Sequence, residues 1–222
     1  NVYQYIEWKI VIHPSTGVVG VKVNGDSKLS LTGQNTRNSA NSTANELRYG
    51  AISVINITGS FRFDDLYVND SQGSANNDFM GDILVEATFP TGTGNSNAWA
   101  RGGSDSGANW SQVDEAAPNG DTDYVKSGTP GDIDLYGYGN LVTASGTVKA
   151  VQTCLYARKD DAGTRTIRPK IRSGGTNYNG SNVNPNTGYV YHLEIFENNP
   201  ETAAPWTITN FNAAEFGFEE VA

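Results

Sequence analysis

The sequence predicts an all-β fold. Short runs of β-branched and aromatic residues alternate with polar ones at a period of two, and Gly, Asn, Asp and Pro clusters punctuate those runs. The composition agrees, with 25 Gly, 24 Asn and 20 Thr among 222 residues. At 10% aromatic residues there is enough to build cores, which argues against disorder. No segment carries the 3.6-residue apolar period of a convincing helix.

The elements follow in order. Ile6, Trp8, Ile10 and Ile12 alternate with Glu7, Lys9 and Val11 and predict a half-buried strand. His13 to Gly17 is turn chemistry, and Val19, Val21 and Val23 form the return strand. Asn24-Gly25 predicts a two-residue hairpin, since both residues tolerate positive φ, and Leu29 and Leu31 continue the meander. Residues 33–45 read as polar loop, followed by strands at Ile52–Val54, Ile55–Ile57 and Phe61–Phe63 that run into DDLYV at 64–68. Residues 69–78 contain no large apolar side chain and mark a linker. GDILVEATFP at 81–90 then opens a second set of strands. A long polar loop is expected from 91 to about 120, with later strands at 134–138, 147–159, 164–172 and 189–195. Asp160 to Gly163 reads as a hairpin loop between two of these strands. The expected domains are 1–70, a linker at 71–80, and 81–222. The abrupt start at Asn1, directly before a strand, suggests a piece of a longer polypeptide.

Charge and composition exclude several functions. Lys and Arg total 15 against 24 Asp and Glu, a net charge of −9 that disfavours nucleic-acid binding. One Cys cannot form an intrachain disulfide or a thiolate zinc site, and two distant His residues make His-based metal chemistry implausible. No run approaches the roughly 18 apolar residues of a membrane helix.

The Trp8 strand, its turn and the V-x-V-N-G ending at Gly25, with FDDLYV at 63–68, resemble the C-terminal half of a concanavalin A-like or laminin-G-like lectin sandwich. Further on come GDILVEATFP, GDTDYV at 120–125, GDIDLY at 131–136, ARKDDAGTRTIRPKIRSGG at 157–175 and PWTITNFNAAEFGFEEVA at 205–222. In their order and spacing these resemble the C-terminal region of bacteriophage virion structural proteins. The resemblance implies two β-sandwiches, a lectin-like half and then a jelly-roll-like one. It also implies a non-enzymatic fibre, tail appendage or head decoration, assembled in the bacterial host cytoplasm, with virion proteins and further copies of itself as partners; its surface either contacts a cell-surface glycan or reinforces the particle. The alternative is a secreted carbohydrate-binding module whose catalytic part lies upstream.

Glycoside hydrolysis needs two carboxylates facing one sugar. Asp64 and Asp65 are adjacent and point to opposite faces, and no strand carries E-x-D-x-E, so no catalytic residue is expected. No G-x-S-x-G occurs, and His192 reads as a strand residue. Trp99 and Trp110, in the Gly-rich loop, and Tyr178 are candidate sugar platforms. Their competing role is to anchor loops or line an interface. Trp8 and Trp206 read as core, and Cys154 as a small buried residue. Arg168, Lys170 and Arg172 alternate opposite Ile167, Pro169 and Ile171, so they form either an interface stripe or a solvated face that protects a sheet edge. Asp121, Asp123 and Asp132, with Asp134, Asp160 and Asp161, lie in or beside loops. There Asp serves either as a turn former or as a calcium ligand, the one cofactor left open.

Overall fold

The computed structural model describes residues 3–44, 46–48, 62–104 and 106–222. The protein is all-β, with antiparallel sheets throughout and a single one-turn α-helix among these residues. The strands expected at 52–57 and the start of the one expected at 61–63 lie outside the described residues. The chain divides into two compact units, Asn1–Val85 and Glu86–Ala222. Among the described residues no helix is long and apolar enough to cross a membrane.

The first unit is a three-stranded meander of β1 (Ile6–Val11), β2 (Gly17–Val23) and β3 (Asp26–Gln34). Asn24 and Gly25 make the β2–β3 turn with φ of 51° and 84°, the left-handed pair that a type I′ hairpin requires. The polarity of this sheet reverses the expectation. Glu7, Lys9, Gly20 and Lys22 share the covered face, where Glu7 is 4% exposed. The cover comes from residues 67–81, which include the expected linker. Asp78 pairs with Lys9 at 3.0 Å, and the Phe79 ring sits against Gly20, where a Cβ would come within 3.2 Å of Cζ. The Lys22 ammonium lies 4.3 Å from the Phe79 centroid. Ile6, Trp8 and Ile10 therefore face outward, and Trp8, expected in the core, is 65% exposed. DDLYV at 64–68 is not a strand; Asp65 adopts φ 52° and accepts the Val85 N–H at 2.7 Å.

Glu7 is buried because two donors satisfy it, the Tyr67 hydroxyl at 2.6 Å and the Gly81 N–H at 2.8 Å. Burial alone would raise the Glu7 carboxyl, but these hydrogen bonds outweigh it and hold the group below its ordinary range. Tyr67 is pushed up to about 12, first by burial and then by its bond to Glu7. Tyr67→Phe is expected to cost about 1.5–3 kcal/mol in urea unfolding, the range for a hydrogen bond to a charged group. A change below the error of the measurement would mean that water replaces the phenol.

In the second unit the strands are β4 (Pro90–Asn97), β5 (Ala100–Gly103), β6 (Asp123–Lys126), β7 (Ile133–Tyr138), β8 (Val151–Ala157), β9 (Ile167–Ser173) and β10 (Thr176–Asn179). They continue with β11 (Val190–Phe196), the two-residue β12 (Asn198–Asn199) and β13 (Ala204–Pro205), and β14 (Glu215–Glu220). Helix α1 (Ile208–Asn212), where no helix was expected, precedes β14, and the Thr207 hydroxyl caps it by accepting the Asn210 N–H.

The central sheet runs β10-β9-β14-β7-β4, and β8 pairs with β11 in a separate ribbon. Ile171 and Phe216 point from the central sheet into a core with Val151 of β8, Trp206, Phe211 and Ala214, which Phe196 of β11 flanks. Two layers thus enclose one core, the arrangement of a sandwich. Residues 82–89, which span the boundary between the units, form no strand, whereas the expected polar loop supplies β4 and β5. Residues 160–163 do not close a hairpin, because β8 and β9 belong to different sheets. The Asp161 carboxylate accepts the Gly163 N–H at 2.7 Å and turns the chain from one layer to the other.

Candidate functional site

The region around Trp99 and Trp110 is built on Asp134, the second residue of β7 and 0% exposed. Strand alternation aims Asp134 into the same face as Tyr136 and Phe218. Its Oδ1 accepts the Trp99 backbone N–H at 2.9 Å. Its Oδ2 accepts the Asn109 side-chain amide at 2.6 Å and the Tyr136 hydroxyl at 2.9 Å. The Tyr136 phenol is pushed far upward, by burial first and then by this carboxylate. Asn109 also donates to the Trp99 carbonyl at 2.8 Å, so one amide bridges loop and strand. The Trp99 indole N–H donates to the Asp132 carbonyl at 3.1 Å, and its ring meets Phe218 edge-on at 4.7 Å. Trp99 is thus a half-buried clamp for its loop. Trp110 lies half-exposed on the 3-10 turn at Asn109–Gln112, which the same clamp positions.

Tyr178 is not part of that arrangement. It pairs with Ile171 on β10, at the opposite edge of the central sheet from β4. Two strand spacings, about 10 Å, separate β10 from β14, whose Phe218 the Trp99 ring meets.

For the stripe of Arg168, Lys170 and Arg172 the edge-protecting role is corrected. These residues share a face as expected, but β9 lies inside the sheet between β10 and β14, so they guard no edge. Lys170 is 6% exposed. Its ammonium bonds to Glu219 on β14 and, at 2.6 Å, to Asn179 on β10. Arg168 reaches the same Glu219 oxygen at 2.9 Å, and Arg172 donates to Asn177 at 3.1 Å. Burial would raise Glu219, but the hydrogen bonds from Lys170 and Arg168 hold it below its ordinary value. Lys170 is thus consumed inside the sheet, while Arg168 and Arg172 stay half-exposed beside it.

The aspartates considered for calcium have separate partners. Asp121 accepts from Arg158 at 3.0 Å and from the Tyr189 hydroxyl at 2.8 Å. Asp132 accepts the Ser127 hydroxyl at 2.6 Å. Asp123 lies beside Glu115, whose carboxyl is pushed up by burial and then by Asp123. Among the described residues no three His, Cys, Asp or Glu side chains gather as a metal-ligating group.

The β8–β11 ribbon carries a surface that the strand pattern alone did not single out. Register pairs Tyr156 with Tyr191, Cys154 with Leu193 and Gln152 with Ile195 on its outer face. Tyr156 stacks on Tyr189 at 4.9 Å and 13°, and meets Tyr191 at 4.5 Å. Arg158 lies 5.3 Å from the Tyr189 centroid, so a cation closes the row. Cys154, expected to be buried, is exposed in the middle of this face. The inner face holds His192, Glu194 and Phe196 instead. Alternation of Tyr189, Tyr191, Leu193 and Ile195 signals a shared face, but not that the face points outward.

Inside the ribbon a cavity of about 90 Å³ is lined by Pro169, Ser181, Val183, His192 and Glu194. The Ser181 hydroxyl and N–H both donate to Glu194, while the buried His192 Nε2 has no hydrogen-bond partner among the described residues. Its volume is well below the roughly 300–1,000 Å³ of small-molecule sites. No family model matches the chain, and neither a curated protein nor a solved structure is significantly similar to it.

Proposed function

We propose that this chain is a non-enzymatic structural component of a bacteriophage particle, as a fibre, tail appendage or head decoration. Its work is to assemble with other virion proteins and further copies of itself. The observation that carries this reading is the open apolar face of the first unit. Ile6, Trp8, Ile10, Leu29 and Leu31 are all exposed, on a sheet whose polar face is the covered one. Contiguous apolar surface of that kind marks an interaction site. The decisive measurement is quantitative mass spectrometry of purified particles from the parent phage. A fixed copy number per particle is expected, falling at least tenfold for Trp8→Glu; absence of the wild-type chain from particles would overturn the reading.

A secreted carbohydrate-binding module is the second reading, supported by the half-exposed Trp110 on its clamped turn. It expects retention of the chain on a glycan array and loss of retention with Trp110→Ala.

A further inference from the structure

We infer that the outer face of the β8–β11 ribbon is a self-association surface, and that its occupant is the same face of a second copy of this chain. This deepens the assembly role proposed above and rests on it, but engages a different face. Four observations lead to it.

The first is inverted polarity. Tyr191, Leu193 and Ile195 point outward at 54%, 60% and 56% exposure, while His192 and Glu194 of the same strand point inward. A solvated outer face would carry the reverse alternation.

The second is area. With Tyr156, Tyr189 and Cys154, these side chains present roughly 500 Å² of contiguous surface, so two copies face to face bury about 1,000 Å², the lower bound for a specific interface.

The third concerns what the face can receive. A sugar stacks on an open ring face, but Tyr156 is flanked by Tyr189 and Tyr191, and Arg158 covers Tyr189. The rest of the row is Leu193, Ile195 and Cys154, which offer a sugar hydroxyl little to bond. Ring edges and aliphatic side chains fit the side chains of another protein.

The fourth is charge. The chain carries −9 overall, so copies repel except where a patch is neutral. Two charges at the tyrosine end of this face, Arg158 and Asp121, are bonded to each other at 3.0 Å. That end therefore meets a second copy without net repulsion. A two-fold axis near the Cys154–Leu193 pair lets each copy place Leu193 and Ile195 against the other's tyrosine row, an isologous contact that closes on itself.

Cys154 is the only cysteine in the chain and sits at the centre of this face, so it reports the contact directly. The test uses the full chain at micromolar concentration, with light scattering for mass and the rate of maleimide labelling for Cys154. The expected result is a mass of at least twice 23.8 kDa. Labelling should be at least tenfold slower than in a Leu193→Asp variant that runs as the 23.8 kDa monomer. Near-UV circular dichroism confirms that the variant is folded, and the wild-type chain unfolded in urea supplies the unprotected labelling rate independently of it.

A monomeric wild-type chain overturns the inference, whether Cys154 labels fast or slowly. So does an oligomer in which Cys154 labels at the rate of an exposed thiol, since assembly then uses another face. Absence of the chain from particles defeats the virion reading but leaves the self-association result unaffected.

Discussion

Replacing Glu219 with Ala is expected to destabilise the second unit by about 3–5 kcal/mol, because it strands Lys170 in the sheet interior without its counter-charge. Lys170 is the constrained member, since its side chain is 7% exposed, whereas Arg168 at 22% can turn toward water. Asn179 remains bonded to the ammonium but supplies only a neutral acceptor. The double substitution Glu219→Leu with Lys170→Met is expected to recover most of the loss, because a well-packed apolar pair removes the stranded charge. Urea unfolding followed by tryptophan fluorescence checks both, and equal stability of wild type and Glu219→Ala would sink the idea. The pH dependence has a defined sign. The folded carboxyl of Glu219 is held below its unfolded value. Its contribution is therefore complete above the ordinary glutamate range near pH 4.3 and is lost as pH falls through the folded value. Glu219→Ala should flatten the acid limb of the stability curve.

Asp134→Ala is expected to cost about 3–5 kcal/mol, and to do so locally before it does so globally. Three buried donors, on Trp99, Asn109 and Tyr136, lose their acceptor together. Each unsatisfied buried group costs roughly 1–3 kcal/mol, with partial relief where the loop reopens to water. Because Asn109 and Trp99 release the 98–112 loop when they let go, Trp99 emission should shift to the red at denaturant concentrations where the core stays folded. Hydrogen exchange should rise first across β4, β5 and the Trp110 turn. Coincident loss of all signals at an unchanged midpoint would show that Asp134 is not the clamp. Tyr136→Phe removes one donor of the three and should cost about 1.5–3 kcal/mol, the range for a hydrogen bond to a charged group, so the two variants calibrate each other.

Much of the architecture was legible in the residues themselves. The Asn24-Gly25 turn follows from local backbone chemistry. Strand β8 lies within a segment that the residue pattern marked as a strand, and β7, β9 and β11 each overrun theirs by one residue. The Asp and Asn residues at loop ends behave as turn formers where they bond nearby amides, as Asp161 does with Gly163. Strand β4 was not legible. PTGTGNSN has almost no side chain to bury, and it is a strand only because β7 offers it a ladder. Nor could the hairpin at 160–163 be refused from sequence, since an Asx turn looks the same whether it reverses a chain in one sheet or hands it to another.

The candidate site shows the same division. That Arg168, Lys170 and Arg172 share a face is a property of the period of two. That they bond to Glu219, Asn179 and Asn177 depends on which strands flank β9, information that lies about 50 residues downstream for Glu219. Trp99 was one of the aromatics singled out, but its two bonded N–H groups belong to a clamp that only the placement of Asp134 creates.

By itself, then, the sequence determined that this protein is all-β, where its hairpin turn falls, and which side chains share a strand face. Only the tertiary structure decided which face of each sheet is covered. Alternation is symmetric between the two faces of a strand, and the choice is made by distant segments: residues 67–81 over Glu7 and Lys9, and the central sheet beneath β8 and β11. That choice leaves Trp8 and the Tyr191–Leu193–Ile195 row on the outside.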